Sequence, residues 1–160
     1  MSLTLDLGSK VPRGMKVAFK KGMNMSGEID APPDALWRAM VDFDQLPRWN
    51  PVVRRLGCWR LVPDGLLEGR AFRIKVLNAE PNRELRWHGE FLLPGLLHDE
   101  SVFNIVSLDG QQAWLALRQV FTGLLAPLCG RIAETNARDM IKEIEQKLGC
   151  ERSCEPSKSL

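Results

Sequence analysis

A histidine followed by two carboxylates, at His98, Asp99 and Glu100, is the cluster in this sequence best suited to acid–base chemistry. Because a histidine beside carboxylates can transfer protons near neutral pH, His98 is a candidate general acid or base. Adjacent residues of a strand point to opposite faces, and alternation here directs Glu100 outward. That alternation favours the alternative, in which His98 has a surface or loop-capping role. The sequence contains no Ser-His-Asp motif, no phosphate-binding loop and no paired-carboxylate motif.

The cysteines and histidines do not have the spacing of a metal site. The cysteines are Cys58, Cys129, Cys150 and Cys154. None belongs to a C-x-x-C pair, and the two histidines, His88 and His98, lie on separate stretches without a ligand spacing. We therefore expect neither a metal ion nor a cofactor.

The charge distribution argues against nucleic acid as a partner. The net charge is +2, but most of the excess lies in residues 1–22, so the rest of the chain is slightly acidic. Phosphate binding needs a concentrated basic face, which such a body lacks. No apolar run approaches the roughly 18 residues of a transmembrane helix, and no apolar signal-peptide core is present. We therefore expect a cytoplasmic protein without a transmembrane segment.

Apolar and polar side chains alternate along two runs, RELRWHGEFLL and DESVFNIVSLDGQQAWLALRQVF. A period of two is typical of strands with one buried face, and DGQQ between them predicts a tight turn in which Gly110 takes a positive φ. The inward positions are Leu85, Trp87, Gly89, Phe91, Ser101, Phe103, Ile105, Leu115, Leu117, Gln119 and Phe121.

The period changes to three or four after residue 124, which predicts one amphipathic helix over 124–148, ended by Gly149. Its apolar positions are Leu125, Leu128, Ile132, Met140, Ile144 and Leu148. Residues 149–160 are predicted to form a disordered tail. Residues 1–22 are predicted to form a flexible basic leader, in which KVPRGM resembles a protease-site linker.

The first half of the chain predicts one strand followed by two short helices. MNMSGEID is the first strand, and MKVAFKK before it suits a short edge strand. APPDALWRAMVDFD is a helix because its prolines fit a first turn, and DQLPRWNP is a second helix with Asp44 as N-cap and Asn50-Pro51 as its end.

VVRRLGCWRLV and GRAFRIKVL are predicted to be the second and third strands. The resulting fold class is α+β. We expect a curved antiparallel sheet of six or seven strands, with the terminal helix across its concave face.

Several segments resemble the SRPBCC superfamily, which includes START domains, birch-pollen-allergen-like proteins and polyketide cyclases/dehydrases. IDAPPDALWRAMVDFDQLPRWNP is similar to the opening of such proteins. GRAFRIKV, RELRWHGEF and RQVFTGLLAPLCGRI are similar to the polyketide cyclase/dehydrase-type members. The resemblance covers residues 23–148. It implies a helix-grip fold, in which the sheet wraps the terminal helix and leaves a cavity for a hydrophobic ligand.

Misfits in the inward stripes predict where such a cavity lies. Gly89 lacks a side chain in mid-strand, Ser101 and Gln119 are polar at inward positions, and Asn136 interrupts the helical stripe. The alternative is a closed core in which the backbone or ordered water satisfies these groups. The candidate cavity residues are Trp37, Trp49, Phe72, Ile74, Trp87, Gly89, Phe91, Ser101, Phe103, Leu117, Gln119, Phe121, Ile132, Asn136 and Met140.

Three functions fit these features. The first, which we favour, is binding or transport of a hydrophobic small molecule such as a lipid, a quinone-like or a polyketide-like compound. The second is a cyclase or dehydratase-like enzyme. The third is a partner-binding module similar to co-chaperone-like relatives, with an exposed apolar patch around Leu92–Leu97. The same loop could serve as a lid over the cavity or make transient contact with a membrane.

Overall fold

The structure is a computed structural model that describes residues 19–56, 60–62, 66–68, 72–91, 93 and 95–154. The strands are β1 (Phe19–Ile29), β2 (Arg60–Val62), β3 (Leu66–Glu68), β4 (Phe72–Glu80), β5 (Glu84–Phe91), β6 (His98–Ser107) and β7 (Ala113–Gly123). The helices are α1 (Pro33–Val41), α2 (Leu46–Trp49), α3 (Pro51–Leu56) and α4 (Ala126–Cys154), with a 3₁₀ turn at Phe43–Gln45.

All described strands join one antiparallel sheet in the order β1-β7-β6-β5-β4-β3-β2. Five strands are long, and β2 and β3 have three residues each. The long helix α4 packs on the inner face, mainly on the side of β1. This is the predicted helix-grip architecture, and the α+β prediction is confirmed.

The first strand is longer than predicted. It begins at Phe19, so it includes the end of the predicted edge strand in MKVAFKK and four residues of the predicted leader. The rest of that leader, residues 1–18, lies outside the described residues.

The prediction for VVRRLGCWRLV is wrong over its first part, because residues 51–56 form α3. Asn50 explains the difference: its Oδ1 accepts the backbone N–H of Val53 at 3.1 Å, which is the bond of a helix N-cap. Pro51 then fills the first helical position, where a missing N–H costs nothing. Asn50-Pro51 therefore ends α2 and also starts α3, so three short helices follow β1 instead of two.

Two further helix-end predictions are wrong. Asp44 lies inside the 3₁₀ turn, so it does not cap the second helix. The terminal helix continues past Gly149 to Cys154, so residues 149–154 are helical and do not belong to a disordered tail. A glycine is common just after a helix but is also tolerated inside one.

The buried stripe of α4 differs in phase from the predicted one. Leu128 and Ile132 are 69% and 60% exposed, whereas Ala133 and Ala137 are buried against the sheet. Small side chains let the helix approach the strands closely. A close approach occurs at Gly27 of β1, where a Cβ would lie 3.2 Å from Cγ2 of Ile141.

A tight junction joins β7 to α4 beside residues 95–97. Gly123 has a φ of 127°, and a Cβ there would lie 2.7 Å from the carbonyl oxygen of Leu96. The N–H groups of Leu124 and Leu125 donate to the carbonyls of Gly95 and Leu96 at 3.2 and 3.0 Å. The chain just before α4 is therefore bonded to the backbone of Gly95 and Leu96.

Candidate functional site: a cavity between the sheet and the terminal helix

A cavity of about 200 Å³ lies between the inner face of the sheet and α4. Its walls come from β4, β5, β6 and β7 on one side and from the first half of α4 on the other. Most of the predicted cavity residues line it: Phe72, Ile74, Trp87, Phe91, Ser101, Phe103, Leu117, Gln119, Phe121, Ile132, Asn136 and Met140. The period-two pattern placed the strand side chains of this set on one face, and the strand register brings them together; Ile132, Asn136 and Met140 come from α4.

Aromatic rings form much of the sheet-side wall. Phe72 and Phe91 meet edge to face with ring centroids 5.4 Å apart. Trp87 and Phe103 do the same at 4.6 Å. Aromatic pairs in such geometry add stability beyond the area they bury, so this wall is held in place by its own contacts.

Three predicted residues do not line the cavity. Trp37 is half-buried on α1 and lies outside the wall. Trp49 is fully buried and stacks on Trp87 at 6.3 Å, so it supports the wall from a second layer. Gly89 makes room for a ring: a Cβ there would lie 2.4 Å from Cζ of Phe72. The space that Gly89 leaves is thus occupied by Phe72.

The polar part of the cavity centres on a carboxyl group that the sequence analysis did not assign to it, that of Asp99. The Ser101 hydroxyl donates to Oδ1 and Oδ2 of Asp99 at 3.2 and 3.0 Å. The amide Nε2 of Gln119 donates to Oγ of Ser101 at 3.0 Å. Asp99 and Ser101 are 6% and 1% exposed, so this chain of hydrogen bonds is shielded from bulk water.

Burial raises the pKa of Asp99 to about 7, because removing the carboxylate from water disfavours its charged form. The hydrogen bonds of Ser101 and Gln119 act in the opposite direction, and the nearby charge of Glu100 adds to the rise. Burial, together with the charge of Asp99, also raises the pKa of the Cys129 thiol on the opposite wall. Asp99 can therefore gain or lose a proton near neutral pH inside an apolar space.

His98 lies on the other side of the sheet. In β6 its side chain shares the outer face with Glu100, and its Nδ1 is 3.8 Å from Oε1 of Glu90 on β5. Its ring centroid is 5.7 Å from that of His88, also on the outer face. The candidate acid–base residue His98 is therefore separated from the cavity by the sheet.

The alternation of inward and outward residues along β6 predicts an inward position for Asp99. Ser101, Phe103 and Ile105 were placed inward, and one further step of two residues puts Asp99 on the same face. The other lining residues that the sequence analysis missed are Asn50, Val53, Leu97, Cys129, Ala133 and Ala137. Of these, Val53 was missed because α3 was predicted to be a strand, and Asn50 because it was predicted only to end the second helix. The two alanines were missed because the helical stripe was taken from its large side chains.

The edge of the cavity carries exposed apolar side chains. Ile132 lines the cavity and is also largely exposed, and Leu128 lies one turn before it on α4. Leu124 and Leu93 are likewise exposed, and both adjoin residues 95–96 through backbone hydrogen bonds. We call Leu93, Leu124, Leu128 and Ile132 the mouth face.

A sequence profile of the family described as "Polyketide cyclase / dehydrase and lipid transport" matches residues 22–142. The chain belongs to this family. The resemblance to the SRPBCC superfamily is thereby confirmed for this family member. A search of curated proteins found no match.

Solved structures share the fold at low identity. The Mll3558 protein of Rhizobium loti is similar with a TM-score of 0.65 at 10% identity, covering 81% of this chain and 97% of the other. A START superfamily protein of Mycobacterium smegmatis has a TM-score of 0.62 at 18% identity, covering 80% and 97%. DynU16, a protein in the dynemicin biosynthetic locus, has a TM-score of 0.61 at 15% identity, covering 80% and 47%.

The described helices and side chains also bear on membrane spanning and metal binding. None of these helices combines the length and apolar character needed to cross a bilayer. Among the same residues, no group of three His, Cys, Asp or Glu side chains is arranged to hold a metal ion.

Proposed function

We propose that this family member binds a small, mainly apolar molecule in the cavity between the sheet and α4. The observation that supports this most directly is the cavity itself, about 200 Å³ of space walled by aromatic and aliphatic side chains. Well-packed cores rarely keep a void of this size, whereas binding sites are concave, apolar and equipped with a few polar groups. The Asp99–Ser101–Gln119 chain supplies such groups.

The volume limits the ligand. Sites for drug-sized molecules usually measure roughly 300–1,000 Å³. A ligand held wholly inside is therefore small, and a longer apolar chain would extend past Ile132 into solvent.

Titration with cyclohexanol, observed by NMR of methyl groups, tests this proposal. Met140 lines the cavity, whereas Met40 is buried on α1 and serves as the internal control. We expect the Met140 methyl resonance to shift in a saturable manner with one equivalent bound, and that of Met40 to stay in place. Absence of any Met140 shift up to the solubility of cyclohexanol and of benzene would refute a ligand site here.

Exchange of the ligand at a membrane is the second part of the proposal. The mouth face is apolar, and the exposed Arg131, Arg138 and Lys142 follow Leu128 along α4, with the exposed Glu134 and the half-buried Asp139 between them. An apolar surface beside cationic side chains complements a bilayer with anionic headgroups, in which leucines enter the interface and cations meet phosphates. A ligand leaving such a bilayer would meet Ile132 first.

A cyclase or dehydratase-like activity is the second candidate function. The observation that favours it is Asp99, since a carboxyl group that titrates near pH 7 inside a cavity is suited to move protons of a bound substrate. If the cavity is catalytic, Asp99→Asn abolishes turnover of its substrate while His98→Ala leaves it unchanged. Loss of turnover in His98→Ala would contradict this assignment.

A further inference from the structure

The charge balance inside the cavity is incomplete when Asp99 is ionised. Among the described residues that line the cavity there is no lysine, arginine or histidine. A buried carboxylate without a counter-charge is costly, and the raised pKa of Asp99 reflects that cost. The protein therefore leaves one negative charge to be balanced by something else.

The hydrogen bonds around Asp99 are nevertheless directed towards the ionised form. Ser101 donates to both carboxylate oxygens, and Gln119 donates to Ser101, so the whole chain presents donors in the direction of Asp99. Donation to a carboxylate stabilises its charge, whereas a carboxyl group built to stay neutral would be expected to face acceptors. These hydrogen bonds therefore stabilise the ionised form of Asp99, whereas its burial destabilises that form.

The elements packed around Asp99 place no cation among the described residues that line the cavity. Lys21 of β1 pairs with Phe121 on the inner face, and its Nζ lies 3.6 Å from where a Cβ of Gly130 on α4 would lie, outside that lining. The direct partners of Asp99 across the sheet are Gly89 on β5 and Phe121 on β7. On α4 the titratable group at the cavity is Cys129, whose raised pKa keeps the thiol neutral. Glu100 and His98, the neighbours of Asp99 in β6, occupy the outer face of the sheet.

Aromatic side chains surround this carboxyl group. Phe121 is the cross-strand neighbour of Asp99 on β7. On β5, the ring of Phe72 lies over Gly89, and a Cβ added to Gly89 would lie 3.4 Å from Cβ of Asp99. Phe103 and Trp87 continue the same wall. Aromatic faces attract cations, and they do so more strongly where water is excluded.

We propose that the cavity selects a small apolar molecule bearing a protonated amine, whose ammonium group pairs with Asp99 while its hydrocarbon part packs on the aromatic wall. This inference rests on the proposed function, because it names the chemical class of the ligand for the same cavity. A neutral ketone or alcohol would fill the apolar space but leave the carboxylate unbalanced.

The proposal predicts a specific pH dependence. An amine pairs with ionised Asp99, so its binding strengthens as the pH rises through about 7. An alkylamine itself stays protonated over this range, as a lysine side chain does. From pH 6 to pH 8 the ionised fraction of Asp99, and with it the association constant for an amine, should increase about tenfold.

Calorimetric titration with cyclohexylamine and with cyclohexanol, at pH 6 and at pH 8, tests the proposal. The two probes have nearly the same shape and differ in charge. We expect cyclohexylamine to bind about tenfold more tightly at pH 8 than at pH 6, and cyclohexanol to bind with little change. Asp99→Asn should remove the preference for the amine, and His98→Gln on the outer face should keep it.

Each other outcome is decisive. Equal binding of amine and alcohol, tighter amine binding at pH 6, or an unchanged amine preference in folded Asp99→Asn would overturn the amine proposal but leave the cavity as a ligand site. Failure of both probes, with the Met140 methyl unmoved, would reject the proposed function as well. Saturable binding of cyclohexanol by Asp99→Asn shows that the cavity of this variant is intact, so loss of the amine preference does not come from a fold defect.

Discussion

His98 and Asp99 are adjacent in sequence but lie in opposite environments. His98 faces outward, half-exposed and within 3.8 Å of Glu90. Asp99 faces the cavity, nearly inaccessible to water, and receives hydrogen bonds from Ser101. Side chains one residue apart along a strand lie on opposite faces of the sheet. The type of a residue identifies it as a candidate for acid–base chemistry. The face of the sheet on which its side chain lies decides whether it can contact a ligand.

The largest expected effect concerns the pH dependence of stability in the ligand-free protein. Because the pKa of Asp99 rises from 3.8 to about 7 on folding, the folded state holds its proton more tightly than the unfolded chain does. The free energy of unfolding should therefore fall as the pH rises from about 4 to about 7 and then level off, by a total on the order of 4 kcal/mol from this group.

Urea unfolding of Asp99→Asn at pH 5 and pH 8 measures this effect. The free energy of unfolding of the parent protein should be lower at pH 8 than at pH 5, and most of this difference should be absent in the variant. If parent and variant decline in parallel, burial of an ionisable Asp99 is not the cause.

The next effect concerns the inner face opposite Asp99. Gly89→Ala would place a methyl group where the ring of Phe72 now lies, and displacing that ring should cost about 2–3 kcal/mol. Gly22→Ala in β1 is the matched control, because a Cβ at Gly22 has no neighbour within 4 Å. Thermal unfolding should show a clear destabilisation only for the first variant, and equal midpoints would argue against the close packing of Phe72 on Gly89.

A smaller effect concerns the mouth face. Leu128→Asp should weaken binding to vesicles containing an anionic phospholipid about fivefold, since one interfacial leucine is replaced by a charge of the wrong sign. Val106→Asp is the control, because Val106 is exposed on the outer face of the sheet. Equal vesicle binding by both variants, or a change of oligomeric state in Leu128→Asp, would show that a bilayer is not the partner of this face.

The smallest effect is expected at His98 itself. Its contact with Glu90 is solvent-exposed, so His98→Gln should change the free energy of unfolding by no more than about 0.5 kcal/mol. Ligand affinity should also stay the same. A loss of affinity in this variant would contradict the assignment of His98 to the outer face.

The sequence predicted the inner face of the sheet well because alternation is a direct consequence of strand geometry. Ser101 and Gln119 were recognised as polar residues facing inward, and both line the cavity. Asp99 follows from the same rule. It was missed because it was considered as a partner of His98 rather than as an inward position of β6.

The parts that could not be predicted depend on contacts distant in sequence or on competing local signals. The valines after Pro51 favour a strand, yet the capping bond of Asn50 and the position of Pro51 establish a helix. Leu128 and Ile132 have the spacing of a buried stripe, but α4 packs through Ala133 and Ala137 instead. Spacing gives the period of a helix, whereas its phase against the sheet depends on how closely the two can approach.

Whether the cavity holds a ligand is tested most directly by native mass spectrometry after incubation with an extract of small metabolites that includes amines. The account predicts one equivalent of a retained small molecule on the parent protein. Ala137→Phe, in which the new ring occupies the cavity from α4, should retain none while unfolding at a similar temperature, with Ala133→Leu as a second filled variant. Retention of the same molecule by the folded, filled variants, or the absence of any adduct on the parent protein, would contradict the account.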